Sequence, residues 1–526
     1  MNSNFTLLFL LSILPLLNKY LFWFFSIQLK EYRFDRFFEY IGTIQGKKAI
    51  FNFWFFIEIP VLIFTIGYFI NPLIENTIYK VVIYLLLLQS FFVISKAVKR
   101  KLIYPKVTSR LIFTAIILLI IELIFIYFTK NIYFFILFNL CFPFFLIFLS
   151  VFFSLPIVNK LKNKIIFEAK MKSKVCSHPI KIGITGSYGK SSVKEYLSQI
   201  LEKNNKVLST PKNVNTELGV SDLINKKLKD KYDYFIAEMG AYKAGEIATL
   251  GEIVDHKYAF ITAIGNQHLA LFGGIKNIIK GKSEIASKVL ENKGTLYING
   301  DDKNISKAKF NKKTNIVTYG IKEKCDAKSD IIEIKKAITK FDFYYKGTKT
   351  TYKTNLLGSH NIINITGVLA FCYDLGIDKE TIKTALLDLK MPSNTLDIIK
   401  FNNSLFLDDT YNLSEGGLFA GLEVLNSFSE DNGKRILIMD DILELGKESD
   451  EIHFEIGKKI AKKKLVDKVF YVGINNKTDF INGLVSGGFK INNIVENLDG
   501  IRKNDVLLFE GRKSQLQLKK LIGKKQ

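Results

Sequence analysis

The sequence predicts an α-helical membrane region followed by an α/β part built on a doubly wound parallel sheet. Three observations carry this. Five long apolar runs fill residues 1–158. From about residue 178, short apolar runs alternate with helical stretches. A glycine loop, Gly186-Ser187-Tyr188-Gly189-Lys190-Ser191-Ser192, joins the first of those short runs to a helical pattern. Strands alternating with helices form βαβ units, whose ligands bind at the C-terminal ends of the strands.

The apolar runs cover about 5–27, 51–70, 78–96, 111–129 and 132–156, each near the ~20 residues that cross a bilayer. The first contains Lys19, but it is too long and too aromatic for the apolar core of a signal peptide, and more spans follow. Loop charge sets the orientation. Segments 28–50, 96–110 and 157–174 are rich in Lys and Arg, whereas the loops near 71–77 and 130 are almost uncharged. The positive-inside rule then places the N-terminus outside and everything after residue 157 in the cytoplasm, giving a multi-pass membrane protein in contact with lipid. Glu58 and Glu122 fall inside spans, where carboxylates are functional candidates by default. Segment 28–50 mixes aromatic and basic residues and suits the inner membrane surface.

The chain carries 74 Lys and Arg against 50 Asp and Glu, a net charge of +24. That balance fits an anionic membrane surface or phosphorylated substrates, and no DNA- or RNA-binding motif accompanies it, so no nucleic-acid partner is expected. Cys141, Cys176, Cys325 and Cys372 lack CxxC spacing, which argues against a zinc site or disulfide framework and fits a reducing compartment.

Beyond the membrane region, strands are expected at 180–185, 206–209, 233–238, 258–264 and 295–299. The loop after the first has the features of a phosphate cradle. Gly186 and Gly189 let backbone N–H groups approach phosphate oxygens, Lys190 reaches the terminal phosphates, and Ser191 or Ser192 opens the helix with a hydroxyl suited to Mg²⁺. Ile184 stands where a full Walker A would have its first glycine. Glu238 ends the strand Tyr234-Phe235-Ile236-Ala237, where an acid facing a phosphate loop is a natural Mg²⁺ ligand. His268 follows the strand at 258–264; a lone histidine is more often structural than a ligand. Lys282 and Glu284 read on charge alone as a solvated helix face, and Asn299-Gly300-Asp301-Asp302 as an ordinary turn.

In order and spacing, these residues resemble the Mur ligase family, with the greatest similarity to its dipeptide-adding members. The matching pieces are Thr185–Glu195; Asn213-Val-Asn215-Thr-Glu217-Leu-Gly219; Glu238-Met-Gly240; Ile264-Gly-Asn-Gln-His268; Lys282-Ser-Glu284; Asn299-Gly-Asp301-Asp302; Gly358-Ser-His360-Asn361 with Asn364; Asp408-Asp409-Thr-Tyr411-Asn412; and Leu443-Glu444-Leu445-Gly446 with His453. The resemblance covers about 181–514. It implies a Mur-type ATP-binding domain over 173–390 and a Rossmann-like C-terminal domain over 391–526. It also implies an ATP-dependent, Mg²⁺-dependent amide ligation through an acyl phosphate, in which a cell-wall (peptidoglycan) precursor accepts an amino acid or dipeptide. Carried over residue by residue, Lys190, His268 and Lys282 are catalytic. Ser191, Glu238, His268 and Lys282 serve the metal, Lys282 as a carbamate. Gly186, Ser187, Gly189, Lys190, Ser191, Ser192, Asn299, His360, Asn361 and Asp409 bind the nucleotide.

The chain departs from the family pattern in places. The family's first domain, which grips the UDP end of the substrate, has no counterpart, and the membrane region stands in its place. The hinge arginine has no clear equivalent: Thr395 is near its position and Lys400 is a possible substitute. The Asn-Pro expected after Tyr411-Asn412 is Ser414-Glu415, and the late Lys-Gly-Ser reads Glu510-Gly511-Arg512-Lys513-Ser514. Two alternatives therefore stay open: a ligase acting on a lipid-linked precursor or another polymer, and a degenerate ligase serving as a membrane-tethered scaffold.

Overall fold

The computed structural model describes residues 3–68, 75–266, 269–322, 324–335, 338–391, 396–401, 404–410, 413–428, 433–498 and 501–523. It divides into two units, Met1–Asn163 and Lys164–Gln526.

The first unit is helical: α1 (Ser3–Leu29), α2 (Phe34–Gly42), α3 (Ile44–Ile50), α4 (Phe53–Tyr68), α5 (Glu75–Val98), α6 (Ser109–Thr129), α7 (Ile132–Cys141) and α8 (Pro143–Val175), the last crossing the boundary between units. Long apolar runs become helices because a helix satisfies every backbone group within its own segment. Side-chain caps mark helix starts here. The Thr108 hydroxyl accepts from the Leu111 N–H and the Asn131 carbonyl from the Phe134 N–H. Among the described residues, four helices are long and apolar enough to cross a membrane by length and composition: those within Thr6–Leu29, Glu75–Val98, Ser109–Thr129 and Pro143–Val175. The run at 51–70 gives α4, 16 residues long, and then passes outside the described residues. The run at 132–156 is not one helix, as the sequence suggested. It breaks between α7 and α8 at Phe142, because Pro143 has no N–H to donate and disfavours helical backbone in the residue before it.

A polar network threads this apolar unit. Lys19 on α1 donates to Glu58 Oε1 on α4 (2.5 Å) and to the Leu140 carbonyl near the end of α7 (2.6 Å), and Gln89 on α5 donates to the same carboxylate oxygen (2.7 Å). The next residue, Tyr20, bonds Glu122 on α6 and Asn139 on α7. Five helices are thereby joined through two neighbouring side chains of α1.

The second unit holds two sheets. The first has nine strands: β1 (Ile180–Thr185), β2 (Val207–Ser209), β3 (Tyr234–Glu238), β4 (Tyr258–Ile261), β5 (Thr295–Asn299), β6 (Asn315–Gly320), β7 (Ala327–Lys335), β8 (Ile338–Tyr345) and β9 (Thr348–Thr354), in the order β2-β3-β1-β4-β5-β6-β7-β8-β9. Pairing is parallel from β2 through β7 and antiparallel across β7, β8 and β9. The expected strands match β1–β5 to within a few residues. The antiparallel extension was not anticipated; it turns tightly at Lys346-Gly347, both at positive φ (47° and 72°), as a two-residue hairpin requires. Successive residues face opposite layers. Ile182, Ile184, Ile236 and Phe260 pack with α9 (Lys190–Leu201) and helix Ser359–Asp374. Phe235, Ala237, Ala259 and Ile261 pack with helices Glu217–Lys227, Glu246–Val254 and Ile285–Glu291. That two-sided burial is the doubly wound architecture.

The second sheet, β10 (Asp397–Phe401), β11 (Ser404–Asp409), β12 (Arg435–Met439), β13 (Lys468–Tyr471) and β14 (Val506–Glu510), runs β10-β11-β14-β12-β13. It is parallel except for the β10–β11 edge hairpin.

Removing Lys19 alone would leave the buried Glu58 carboxylate without its cation. Lys19→Met is expected to destabilise the full-length protein by about 3–5 kcal/mol. Pairing it with Glu58→Leu should recover most of the loss, read as the thermal midpoint of both variants in detergent.

Candidate functional site

The site is built where β1 passes into α9. Gly186 (φ 152°) and Gly189 (φ 77°) lie in backbone regions that side chains avoid, and there is no room for one: a Cβ at Gly186 would stand 2.1 Å from Thr262 Oγ1, and one at Gly189 3.0 Å from Asn364. Ser187 fixes the loop against the segment after β4. Its N–H donates to the Ala263 carbonyl, and its hydroxyl bonds both the carbonyl (3.2 Å) and the N–H (3.0 Å) of Gly265. Thr262 bonds the Tyr188 carbonyl. Lys190 folds back over the loop, donating to the carbonyls of Gly186 (2.7 Å) and Ser187 (3.3 Å). Burial holds its ammonium below the ordinary lysine range, with Glu238 acting in the opposite sense. Ser192, half-buried on the first turn of α9, faces Tyr196.

Glu238 ends β3 beside this loop, buried. Ser191 Oγ donates to its Oε2 (3.0 Å), Asn215 Nδ2 to its Oε1 (3.1 Å), and the Lys194 ammonium lies 3.5 Å from Oε2. Burial alone would raise this carboxyl, but Lys190, Lys194 and the bonds from Asn215 and Ser191 outweigh it and keep Glu238 below the ordinary carboxylate range. An anionic carboxylate and a hydroxyl thus meet at the mouth of the phosphate loop, a donor set that suits Mg²⁺ completed by phosphate oxygens. Among the described residues, no cluster of three or more His, Cys, Asp or Glu forms a metal site, and a Mg²⁺ shared with phosphates needs none.

Lys282 is not on a solvated face. It is buried on helix Ile275–Ser283, and its ammonium is pushed down to about 7, first by burial and then by Lys190, against Glu246 and Glu238. Glu284 instead caps the neighbouring helix, accepting from the N–H groups of Gly245 (2.8 Å) and Ala248 (3.1 Å). His268 lies outside the described residues.

Asn299 ends β5 and binds the adjacent strand end, donating to the Thr262 carbonyl (3.0 Å) and accepting from the Asp301 N–H (3.0 Å). Asn361 is buried with both polar ends used inside the fold: its amide donates to the Leu357 carbonyl (2.8 Å) and its carbonyl accepts from Tyr196 (2.8 Å). His360 lies in the first turn of the same helix as a neutral ring, its imidazole pushed down to about 4 by burial, and among the described residues its Nδ1 has no hydrogen-bond partner. The two sheets contribute unequally. Gly186–Ser192, Glu238, Asn299 and Lys282 belong to the first. Asp409 ends β11 in the second, next in register to Glu510 of β14. Burial and then Asp408 push Asp409 up to about 7, and burial and Asp409 push Glu510 well above the ordinary range. Among the described residues, neither Glu510 oxygen has a hydrogen-bond partner. His453 is structural: its Nδ1–H donates to the Ser449 carbonyl and its Nε2 accepts from the Ile442 N–H. Thr395, Tyr411 and Asn412 lie outside the described residues, and Lys400 is exposed on β10.

Lys194 and Asn215 received no role from the sequence, though both lie in recognisable blocks. Lys194 follows Lys190 by four positions, the spacing that puts two side chains on one helix face.

The Mur ligase middle domain family matches residues 184–372. The UDP-N-acetylmuramoyl-tripeptide–D-alanyl-D-alanine ligase of Buchnera aphidicola (Acyrthosiphon pisum) is 33% identical over 346 residues, covering 63% of this chain and 74% of that one. The chain belongs to the Mur ligase family. The enzyme of the same name from Escherichia coli K12 is 31% identical over 299 residues, 56% of this chain and 64% of its own. Among solved structures, a MurF of Acinetobacter baumannii superposes with a TM-score of 0.62 at 26% identity, covering 69% of this chain and 80% of that one. A Thermotoga maritima MurF in complex with ADP shares the fold at 24% identity, with a TM-score of 0.59, covering 69% of this chain and 85% of its own.

Lys190→Ala is expected to lower ATP turnover by about 10²-fold or more, with the thermal midpoint nearly unchanged. Wild-type turnover in this folded variant would exclude the phosphate-loop role. A second expectation follows from Lys282, whose folded value lies below the ordinary 10.5. The folded state disfavours the ammonium form. This cost is fully present below about pH 7 and disappears as the pH rises towards 10.5. In CO₂-free buffer, Lys282→Met should therefore melt higher than wild type below pH 7 and lose that advantage in alkaline buffer.

Proposed function

We infer that this chain is a membrane-embedded, ATP-dependent ligase of peptidoglycan precursor synthesis. It joins D-alanyl-D-alanine to the peptide end of a muramoyl precursor, the reaction named for its relatives. The observation that carries this is the pairing of the phosphate loop with a buried, anionic Glu238 and a buried Lys282 in a chain related to those ligases.

The chemistry follows from the residues. The loop amides and Lys190 hold the β- and γ-phosphates of ATP, so the precursor carboxylate attacks a γ-phosphoryl group whose charge is already compensated. Ser191 and Glu238 would hold Mg²⁺, which would supply further charge compensation for the phosphoryl transfer. His268 is proposed to assist at the metal. Lys282, with a neutral amine accessible near pH 7, is suited to carbamylation, which turns a cation into an anionic ligand. Asn299, His360 and Asp409 surround the nucleotide, with Asp409 near the ribose. Residues 173–390 act as the ATP-binding domain and 391–526 as the domain that presents the amine.

The apolar helices favour a multi-pass location in a bacterial inner membrane, in contact with lipid, with the catalytic unit in the cytoplasm. They also favour a second reading of the substrate. A membrane region is where a lipid-linked precursor would be held, so both UDP-linked and lipid-linked muramoyl peptides belong in the assay.

Full-length protein with ATP, D-alanyl-D-alanine and each precursor should release phosphate together with a product heavier by one dipeptide. Absence of product with both precursors would overturn the reading in favour of a scaffold. The carbamate has its own check. Intact mass in bicarbonate buffer should show the addition of one carbon dioxide, lost in Lys282→Ala, and CO₂-free buffer should slow the wild type reversibly.

A further inference from the structure

The first turn of helix Glu415–Ser427 meets the phosphate loop. Tyr188 of that loop lies between Gly265 and Gly416. A Cβ at Gly265 would stand 1.9 Å from the Tyr188 hydroxyl, and one at Gly416 2.9 Å from its ring. Both walls of this slot must therefore be glycine, and the contact fixes the residue beside Gly416. That residue is Glu415, where the family pattern leads one to expect the proline of Asn-Pro.

Asn266 Nδ2 donates to Glu415 Oε2 at 3.5 Å, and the adjacent Gly265 is bonded through both its N–H and its carbonyl to Ser187 of the phosphate loop. The carboxylate therefore comes from the second sheet's domain and stands within two contacts of the loop that holds the phosphates. Among the described residues, Asn266 is its one hydrogen-bond donor, at the long end of the range, and no lysine or arginine pairs with it. The helix dipole favours an acid at a first turn, but it does not supply a cationic partner. Glu238 cannot take up a further cationic group in the same way, since Ser191, Asn215 and Lys194 already engage it.

We propose that Glu415 receives the ammonium group of the incoming amine and takes its first proton, an inference that rests on the acyl-phosphate ligation above. An amine arrives as R–NH₃⁺ and cannot attack until one proton has left. With that proton on Glu415, the nitrogen lone pair attacks the acyl carbon. The C–N bond forms, the C–O bond to phosphorus breaks, and the second nitrogen proton leaves with the phosphate as HPO₄²⁻. Glu415 then returns its proton to solvent.

Hydroxylamine separates the steps, because it is largely neutral at neutral pH and captures an acyl phosphate as a hydroxamate without needing a base. The experiment compares wild type and Glu415→Gln, both full-length, in detergent, with ATP and precursor, and with either hydroxylamine or D-alanyl-D-alanine as nucleophile. The expected result is an unchanged rate of hydroxamate formation and a KM for the dipeptide raised about tenfold or more, with Glu415→Asp restoring part of the loss. Equal dipeptide kinetics in both proteins would overturn the inference. So would a parallel fall in both reactions, which would mark Glu415 as part of the Tyr188 contact only. If wild type yields no hydroxamate, the acyl-phosphate reading itself has failed, and the inference with it.

Discussion

The catalytic unit depends on a carboxylate that must stay charged while buried. Glu238 sits at the end of β3 with almost no exposure to solvent, a position that ordinarily drives an acid to protonate. The surrounding structure prevents this. The lysines at 190 and 194 come from one face of α9, the Ser191 hydroxyl from its first turn, and the Asn215 amide from the segment before helix Glu217–Lys227. Each position in turn requires β1 to lie between β3 and β4, so that α9 starts where β3 ends. Sheet order, helix start and charge balance are thus one constraint seen at three scales.

The same constraint explains the glycines and the burial of Lys282. A loop that wraps phosphates has to approach the segment after β4 closely, so Gly186 and Gly189 face Thr262 and Asn364 without room for a Cβ. Two ammonium groups, Lys190 and Lys282, then share one desolvated region. Burial lowers both ammonium groups, and Lys190 lowers Lys282 further, to about 7. A lysine that is neutral near pH 7 is chemically a different residue from one on a solvated helix.

The sequence made legible what is local. β1 to β5 are short apolar segments bounded by turns, and the phosphate loop is a contiguous motif. What is non-local was harder to read. Lys282 sits among Lys280 and Lys276, and nothing in such a run distinguishes the buried lysine from the exposed ones. The strand β7, Ala-Lys-Ser-Asp-Ile-Ile-Glu-Ile-Lys, is half charged because it lies towards the antiparallel end of the sheet, and it therefore lacks the continuous apolar signal of the central strands. The break at Phe142–Pro143 was hidden by hydropathy, which counts apolar residues and takes no account of a missing N–H. Asn361 illustrates the reverse case. Its place in a motif suggested a ligand contact, yet its amide bonds Leu357 and Tyr196 and ties helix Ser359–Asp374 to α9. A motif position can thus act on the phosphate loop through the helix that carries it.

The departures from the family pattern concentrate in the second sheet's domain, and they share a physical character. At Ser414-Glu415 a proline is replaced by an acid, and at Glu510-Gly511-Arg512-Lys513 the residue before the glycine is a buried acid with no hydrogen-bond partner among the described residues. Lys513 is itself engaged, 3.1 Å from Asp440 Oδ1 and 3.5 Å from Asp441 Oδ2. Glu510 and Asp409 lie side by side in register, and two buried carboxyls so placed hold a proton between them more readily than two charges. Among the described residues, burial suppresses the charge at Asp409 and Glu510, Lys513 pairs with Asp440 and Asp441, and no lysine or arginine pairs with Glu415. A cationic substrate that reaches the phosphate loop from this side meets the Glu415 carboxylate, which the Tyr188 slot holds there.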